Sequence, residues 1–243
     1  MPVLDLANPV RFLALSARLL PVLAAATVLV LGVGLVLAFQ APADYQQGET
    51  VKIMYIHVPF AWLGLFGYSL MALSSIGILV WRHPLADVAH KAAAPIGATF
   101  TALCLITGSL WGRPMWGTYW VWDARLTSML VLLLLYLGLM ALRAAIEDPN
   151  RAGRAAAVLT LVGFINVPIV KFSVDWWNTL HQPASVFRMG GSTIDSSLLW
   201  PLLLCAAGFT LMFVTLHVLA MRTEILHRRV QALEARAAAE ALA

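Results

Sequence analysis

Leu19-Leu-Pro-Val-Leu-Ala-Ala-Ala-Thr-Val-Leu-Val-Leu-Gly-Val-Gly-Leu-Val-Leu-Ala-Phe39 is an unbroken apolar stretch without a single charge. As a helix rising about 1.5 Å per residue it reaches across roughly 30 Å, the hydrocarbon thickness of a bilayer. A secretory leader has a shorter core, and Ala41-Pro42-Ala43 is a poor cleavage site, so the run is expected to be retained as a membrane helix. Composition says the same of the whole chain. Hydrophobic residues make up 61% and charged residues 12%, about half the usual charged share of a soluble domain. That excludes a soluble fold, which has no way to hide so much apolar surface.

Five further runs follow: Pro59–Trp81, Ala92–Trp111, Leu126–Leu142, Ala155–Phe172 and Ser197–Met221. The fifth span overall carries Asn166 and Pro168, which a membrane helix tolerates when its neighbours satisfy the freed backbone groups. Polar, Pro- and Gly-bearing breaks separate the spans at Gln40–Glu49, Arg82–Lys91, Gly112–Arg125, Arg143–Arg154 and Ser173–Ser196. The tail over 222–243 is rich in Ala, Glu, Leu and Arg and is expected to continue as a helix into solvent. The expected fold is therefore an all-α integral membrane protein. It forms a single polytopic domain over 1–243, a bundle of about six transmembrane helices.

Charge placement sets the orientation. With the N-terminus inside, eleven of the sixteen Lys and Arg residues fall in inner segments, from Arg11 and Arg18 to Arg222, Arg228, Arg229 and Arg236. The positive-inside rule then places both termini, and the tail, in the cytoplasm. The net charge of +4 is read as this bias, not as a surface for nucleic acid. Cys104 and Cys205 each lie inside an apolar run, and without a C-x-x-C they are read as small core residues rather than a disulfide or thiolate site.

Parity brings the loops after spans one, three and five to the same outer face, and those loops hold the unusual chemistry. The first ends at Ile56-His57-Val58-Pro59. The second runs from Trp111 through Trp116, Tyr119, Trp120, Trp122 and Asp123 to Arg125 and Thr127. The third contains Asp175-Trp176-Trp177-Asn178-Thr179-Leu180-His181-Gln182. Four of the nine tryptophans fall between Trp111 and Trp122. An interfacial aromatic belt explains one or two of them. Gly112, Pro114 and Gly117 among them fit a shaped, non-helical platform for a flat apolar ligand with a polar edge. Both readings stand on the residues alone.

His57 and His181 sit at the membrane edge, each followed closely by a proline, Pro59 or Pro183. A lone histidine there usually just reaches water. Two on the face that carries the tryptophans can instead fill both axial positions of a haem iron. Zinc would want three or four ligands, and the only carboxylates nearby are Asp123, Asp175 and Asp44. His83, His90, His217 and His227 fall towards the inner side and are read as ordinary interfacial residues.

The run Trp116-Gly-Thr-Tyr-Trp-Val-Trp-Asp-Ala-Arg-Leu-Thr127 resembles the tryptophan-rich WWD motif of the haem-handling protein superfamily. With His57, His181 and the Trp176-Trp177 pair in place, the whole chain resembles the haem exporter protein C family in span number and loop order. The resemblance implies a non-enzymatic subunit of the bacterial inner membrane that works in c-type cytochrome biogenesis. Haem b, held transiently as cargo, would be bound on the periplasmic face. His57 and His181 would be its axial ligands, and Trp111, Trp116, Trp120, Trp122, Asp123 and Arg125 would complete the site. The implied partners are a membrane-anchored periplasmic haem chaperone, the membrane and ATPase subunits of an ABC transporter, a small single-span accessory subunit and the lipid bilayer. No G-x-x-x-x-G-K-[ST] is present, so ATP hydrolysis would belong to a partner. Arg113, Arg125 and Arg188 are the outer cations available to haem propionates, though Arg125 has Asp123 as an alternative partner. Two other function classes compete: a bis-histidine electron carrier like cytochrome b, and a permease subunit without a cofactor whose tryptophans form a belt.

Overall fold

Asn8 opens the first helix by accepting a hydrogen bond from the Val10 amide at 2.8 Å, with Pro9 in the first turn, where its missing N–H costs nothing. The computed structural model describes residues 8–182, 185–186 and 188–242; Pro183 lies outside them. The helices are α1 (Pro9–Gln40), α2 (Met54–Trp81), α3 (Pro84–Trp116), α4 (Ala124–Ala145), α5 (Pro149–Gly163), α6 (Asn166–Trp176) and α7 (Ser196–Ala241). A 3₁₀ turn, Glu49–Ile53, leads into α2. Aspartates cap three of the other helices: Asp123 for α4, Asp148 for α5 and Asp195 for α7.

Six segments are long and apolar enough to cross a membrane, α5 and α6 counting together as Pro149–Trp176. The described residues are all-helical apart from turns and loops, and the chain is a multi-pass membrane protein. The helices run past the apolar stretches, so the expected break at Arg82–Lys91 shrinks to Arg82 and His83. The fifth span is broken at Phe164 and Ile165. Pro168, which lacks the N–H a helix interior needs, thereby falls in the first turn of α6, and Asn166 Nδ2 donates to Ser128 O at 2.9 Å. The tail is helical to Ala241, as its composition predicts.

α2 is central, packed along α3 and also against α5 and α7, while α4 lies against α3, α5 and α6. Tyr68, Met71, Leu132, Tyr136 and Phe213 fill the core, with the Tyr136 hydroxyl donating to Gly64 O at 2.8 Å. α1 packs almost wholly on α7. Its buried positions are the small residues Ser16, Thr27, Gly34 and Ala38, which form one stripe. A Cβ on Gly208 of α7 would come within 2.6 Å of Leu31 Cα, so the two backbones approach as small-residue membrane interfaces do. The other faces of α1 remain apolar and exposed, as lipid contact requires.

At the end of the bundle opposite the tryptophans lies an ion-pair network. Asp87 receives Arg143 at 2.7 Å and Arg228 at 2.6 Å, and Glu224 receives Arg228 at 2.6 Å and Lys91 at 2.8 Å. His90 is wholly buried beside it, Nε2 2.7 Å from Thr160 Oγ1 and Nδ1 3.1 Å from Arg143. His217 is buried too, stacked on Phe213. These two are core histidines, which corrects the interfacial reading. Sequence alone does not show this, because the partners of His90 come from α4 and α5.

Candidate functional site

The three loops expected to share a face do meet at one end. Trp111 Nε1 donates to Gln47 Oε1 in the first loop at 3.0 Å, and Asp123 of the second is bonded to His181 of the third. Two residues of the expected platform are helical, however. α3 continues through Pro114 to Trp116, so Trp111 and Trp116 are helix residues and only the segment from Gly117 to Asp123 is irregular. Gly117, at φ 76°, ends the helix in the left-handed conformation glycine adopts freely. Gly112 leaves room for the Trp116 ring: a Cβ there would lie 3.0 Å from that ring.

His57 occupies the first turn of α2. Its Nδ1 is 3.1 Å from Cys104 O and 3.1 Å from Thr107 Oγ1, both on α3. The carbonyl can only accept, and Thr107 already donates to Leu103 O at 2.7 Å. Both partners therefore place the proton on Nδ1 and the lone pair on Nε2. The Trp111 ring stands edge-on to the imidazole, with centroids 5.6 Å apart.

His181 sits in the third loop, its backbone N–H donating to Thr179 Oγ1 at 3.0 Å. Its Nδ1 is 3.0 Å from Asp123 Oδ2, and the Trp116 ring stands edge-on at 4.9 Å. Burial pushes the imidazole pKa below its ordinary value, against Asp123, which raises it. At neutral pH the contact is therefore an N–H donated to a carboxylate, and Nε2 again holds the lone pair. Asp123 is itself buried, its other oxygen accepting the Leu126 amide at 2.8 Å to cap α4.

Arg125 ties α4 to α6, Nε donating to Ser173 Oγ and Nη2 to Lys171 O, each at 3.1 Å. Arg113 lies over the Tyr119 ring and donates to Gly117 O. Trp120 and Trp122 meet edge to face at 5.4 Å, with Trp122 74% exposed and the Trp120 Nε1 donor buried without an acceptor among the described residues. Trp176 stacks on Phe172 at 5.5 Å and is half-exposed, as is Trp177. The structure thus joins His57 to Trp111, and Trp116 and Asp123 to His181. Trp120 and Trp122 stand as a separate, more open pair. Gln47, Thr107 and the Cys104 carbonyl are supporting groups that sequence reasoning missed, since nothing in their spacing marks them. Two apolar grooves open elsewhere, at the ion-pair end: one between α3 and α7 near Lys91 and Leu219, the other near Pro9 and Arg229.

The site and fold have close relatives. The family model described as Heme exporter protein C matches residues 2–236. A Bradyrhizobium diazoefficiens protein named Heme exporter protein C is 71% identical over 96% of this chain and 89% of the relative. The Escherichia coli K12 protein of the same name is 50% identical over 91% of this chain and 90% of the relative. A mitochondrial protein of Marchantia polymorpha, named for cytochrome c biosynthesis, is 48% identical over 76% of this chain and 78% of the relative. With matches of that extent and a six-span helical fold, the chain belongs to the Heme exporter protein C family.

Proposed function

We propose that this chain binds haem at the tryptophan-bearing end, through Nε2 of His57 and Nε2 of His181, and presents it to a membrane-anchored haem chaperone in c-type cytochrome biogenesis. One observation carries the reading. Two imidazoles at the same end are each fixed through Nδ1 to an acceptor, so that both Nε2 lone pairs are available. Two such donors suit the axial positions of one haem iron. Among the described residues no group of three or more His, Cys, Asp or Glu is placed to hold a bare metal ion. Trp120 and Trp122 supply flat apolar surface, and the Trp120 N–H, without an acceptor among the described residues, supplies a donor for the polar edge of a porphyrin. The cargo is haem b, held non-covalently.

The site faces the periplasm in this reading, and both termini and the 222–243 tail lie in the cytoplasm of a bacterial inner-membrane protein, as the Lys and Arg bias supports. The relatives' name, exporter, supports partnership with ABC transporter subunits, alongside the chaperone and a small single-span subunit. The chain is a haem-handling subunit, not an enzyme. A cytochrome b-like electron carrier would want a second ligand pair at depth. The buried His90 has hydrogen-bond partners at both ring nitrogens, which leaves it ill-suited to that role.

The test is a visible spectrum of the purified protein and of His57→Ala and His181→Ala. Each single variant should move haem from six-coordinate low-spin towards an open or water-filled axial site, and added imidazole should restore the original spectrum. His83→Ala should change nothing. No Soret band in the wild type, or no spectral change in either variant, would sink the reading.

A further inference from the structure

The two histidines are backed by unlike partners. Behind His181 stands the Asp123 carboxylate, 9% exposed, at 3.0 Å. Behind His57 stand two neutral oxygens, Cys104 O and Thr107 Oγ1, each at 3.1 Å. An imidazole whose N–H leans on a carboxylate places more electron density on its other nitrogen, and binds a metal more tightly, than one leaning on a carbonyl. The difference is built into the scaffold. Asp123 is locked by capping α4 through the Leu126 amide, so the loop histidine is anchored to a helix end. Two residues on, Arg125 ties that helix end to α6.

We infer that the two axial ligands are unequal by design: His181, with Asp123 as its positioning residue, anchors the haem, and His57 is the ligand released at hand-over. This rests on the haem-binding reading above. The step is a ligand exchange: the bond from iron to His57 Nε2 breaks, a bond to a donor atom of the acceptor forms, and no electron moves. His181 then holds the haem during the exchange, so the cargo is never free in the membrane.

The test uses the full-length protein loaded with haem in detergent and mixed with excess apomyoglobin as the haem acceptor. Asp123→Asn keeps the helix cap and a neutral acceptor for His181 but removes the charge. It should speed haem loss by about 10- to 100-fold, the usual effect of removing a partner behind a metal ligand. It should also raise the haem midpoint potential, because the carboxylate favours the ferric state. Thr107→Val, on the other side, should change the loss rate by less than about threefold, since it leaves the Cys104 carbonyl to hold the ring. His181→Ala should lose haem faster than His57→Ala, a comparison that decides the matter even if Asp123→Asn accumulates poorly. Equal effects of Asp123→Asn and Thr107→Val, or faster loss from His57→Ala, overturn the inequality. A wild type without low-spin haem overturns the haem reading itself, so the two failures are distinguishable.

Discussion

A methyl group on Gly108 would lie 2.8 Å from Cε1 of His57, so the imidazole carried by α2 rests directly on the backbone of α3. The ring is held from that side as well as through Nδ1. Gly108→Ala should therefore displace the histidine rather than the helix, at a cost of about 1–3 kcal/mol for overpacking. The expected readout is a partly high-spin haem spectrum with normal membrane insertion. An unchanged spectrum would show that the ring has room to move.

The tryptophans divide into two pairs with different consequences. Trp111→Ala and Trp116→Ala remove the rings that stand against His57 and His181, and should alter the axial spectrum. Trp120→Ala and Trp122→Ala should lower haem retention with little change in spin state, each stacking contact being worth about 0.5–1.5 kcal/mol beyond its buried area. Full haem loading and normal cytochrome c production in the Trp120/Trp122 double variant would reduce that pair to an interfacial belt.

Acid should open the site in a defined window. Burial holds the folded-state pKa of His181 below its ordinary value, so the neutral ring stabilises the fold fully above the unfolded value of about 6.5. That contribution falls as pH drops through 6.5 and levels off below the folded value. The low-spin spectrum should be flat from about pH 8 to 6.5 and decline below. A decline that began above pH 7 would contradict the lowered pKa.

At the other end, Asp87 accepts from both Arg143 and Arg228, with only 16% of its side chain exposed. Asp87→Ala strands the buried Arg143 guanidinium, while Arg228 keeps Glu224, and should destabilise the bundle by about 3 kcal/mol. Thermal unfolding in detergent measures this, and a loss under about 1 kcal/mol would place the network in water, as for an exposed pair.

Periplasm-dependent reporter fusions check the orientation. They should be active within 117–123 and 177–195 and inactive at 146–148 and after Ala241. The reverse pattern would move the haem site to the cytoplasm and overturn the proposed delivery.

Much of this molecule is legible in its sequence because membrane helices obey a length rule that needs no tertiary information. Leu19–Phe39 is such a case: a charge-free run of bilayer length lies within one helix, α1. Parity then puts His57, the Trp111–Trp122 run and His181 at one end, and the Gln47–Trp111 and Asp123–His181 contacts agree. Local irregularity was harder to read. Gly112 and Pro114 look like a loop, yet α3 passes through both, because the Trp116 ring packs over Gly112 and the true stop is the positive φ of Gly117. Buried polar groups were illegible. His90 looks like His83 in sequence, and only Thr160 and Arg143, 70 and 53 residues away, draw it into the core.

α7 is one uninterrupted helix from Ser196 to Ala241, 46 residues that make a rod of about 69 Å. Its first turn lies at the end that carries the tryptophan-bearing loops, and residues 229–242 at its far end are exposed. A rod is a lever. Rocking it by about 5° around its middle carries each tip through about 3 Å. The exposed tail is thereby the most sensitive indicator of any tilt of α7 within the bundle.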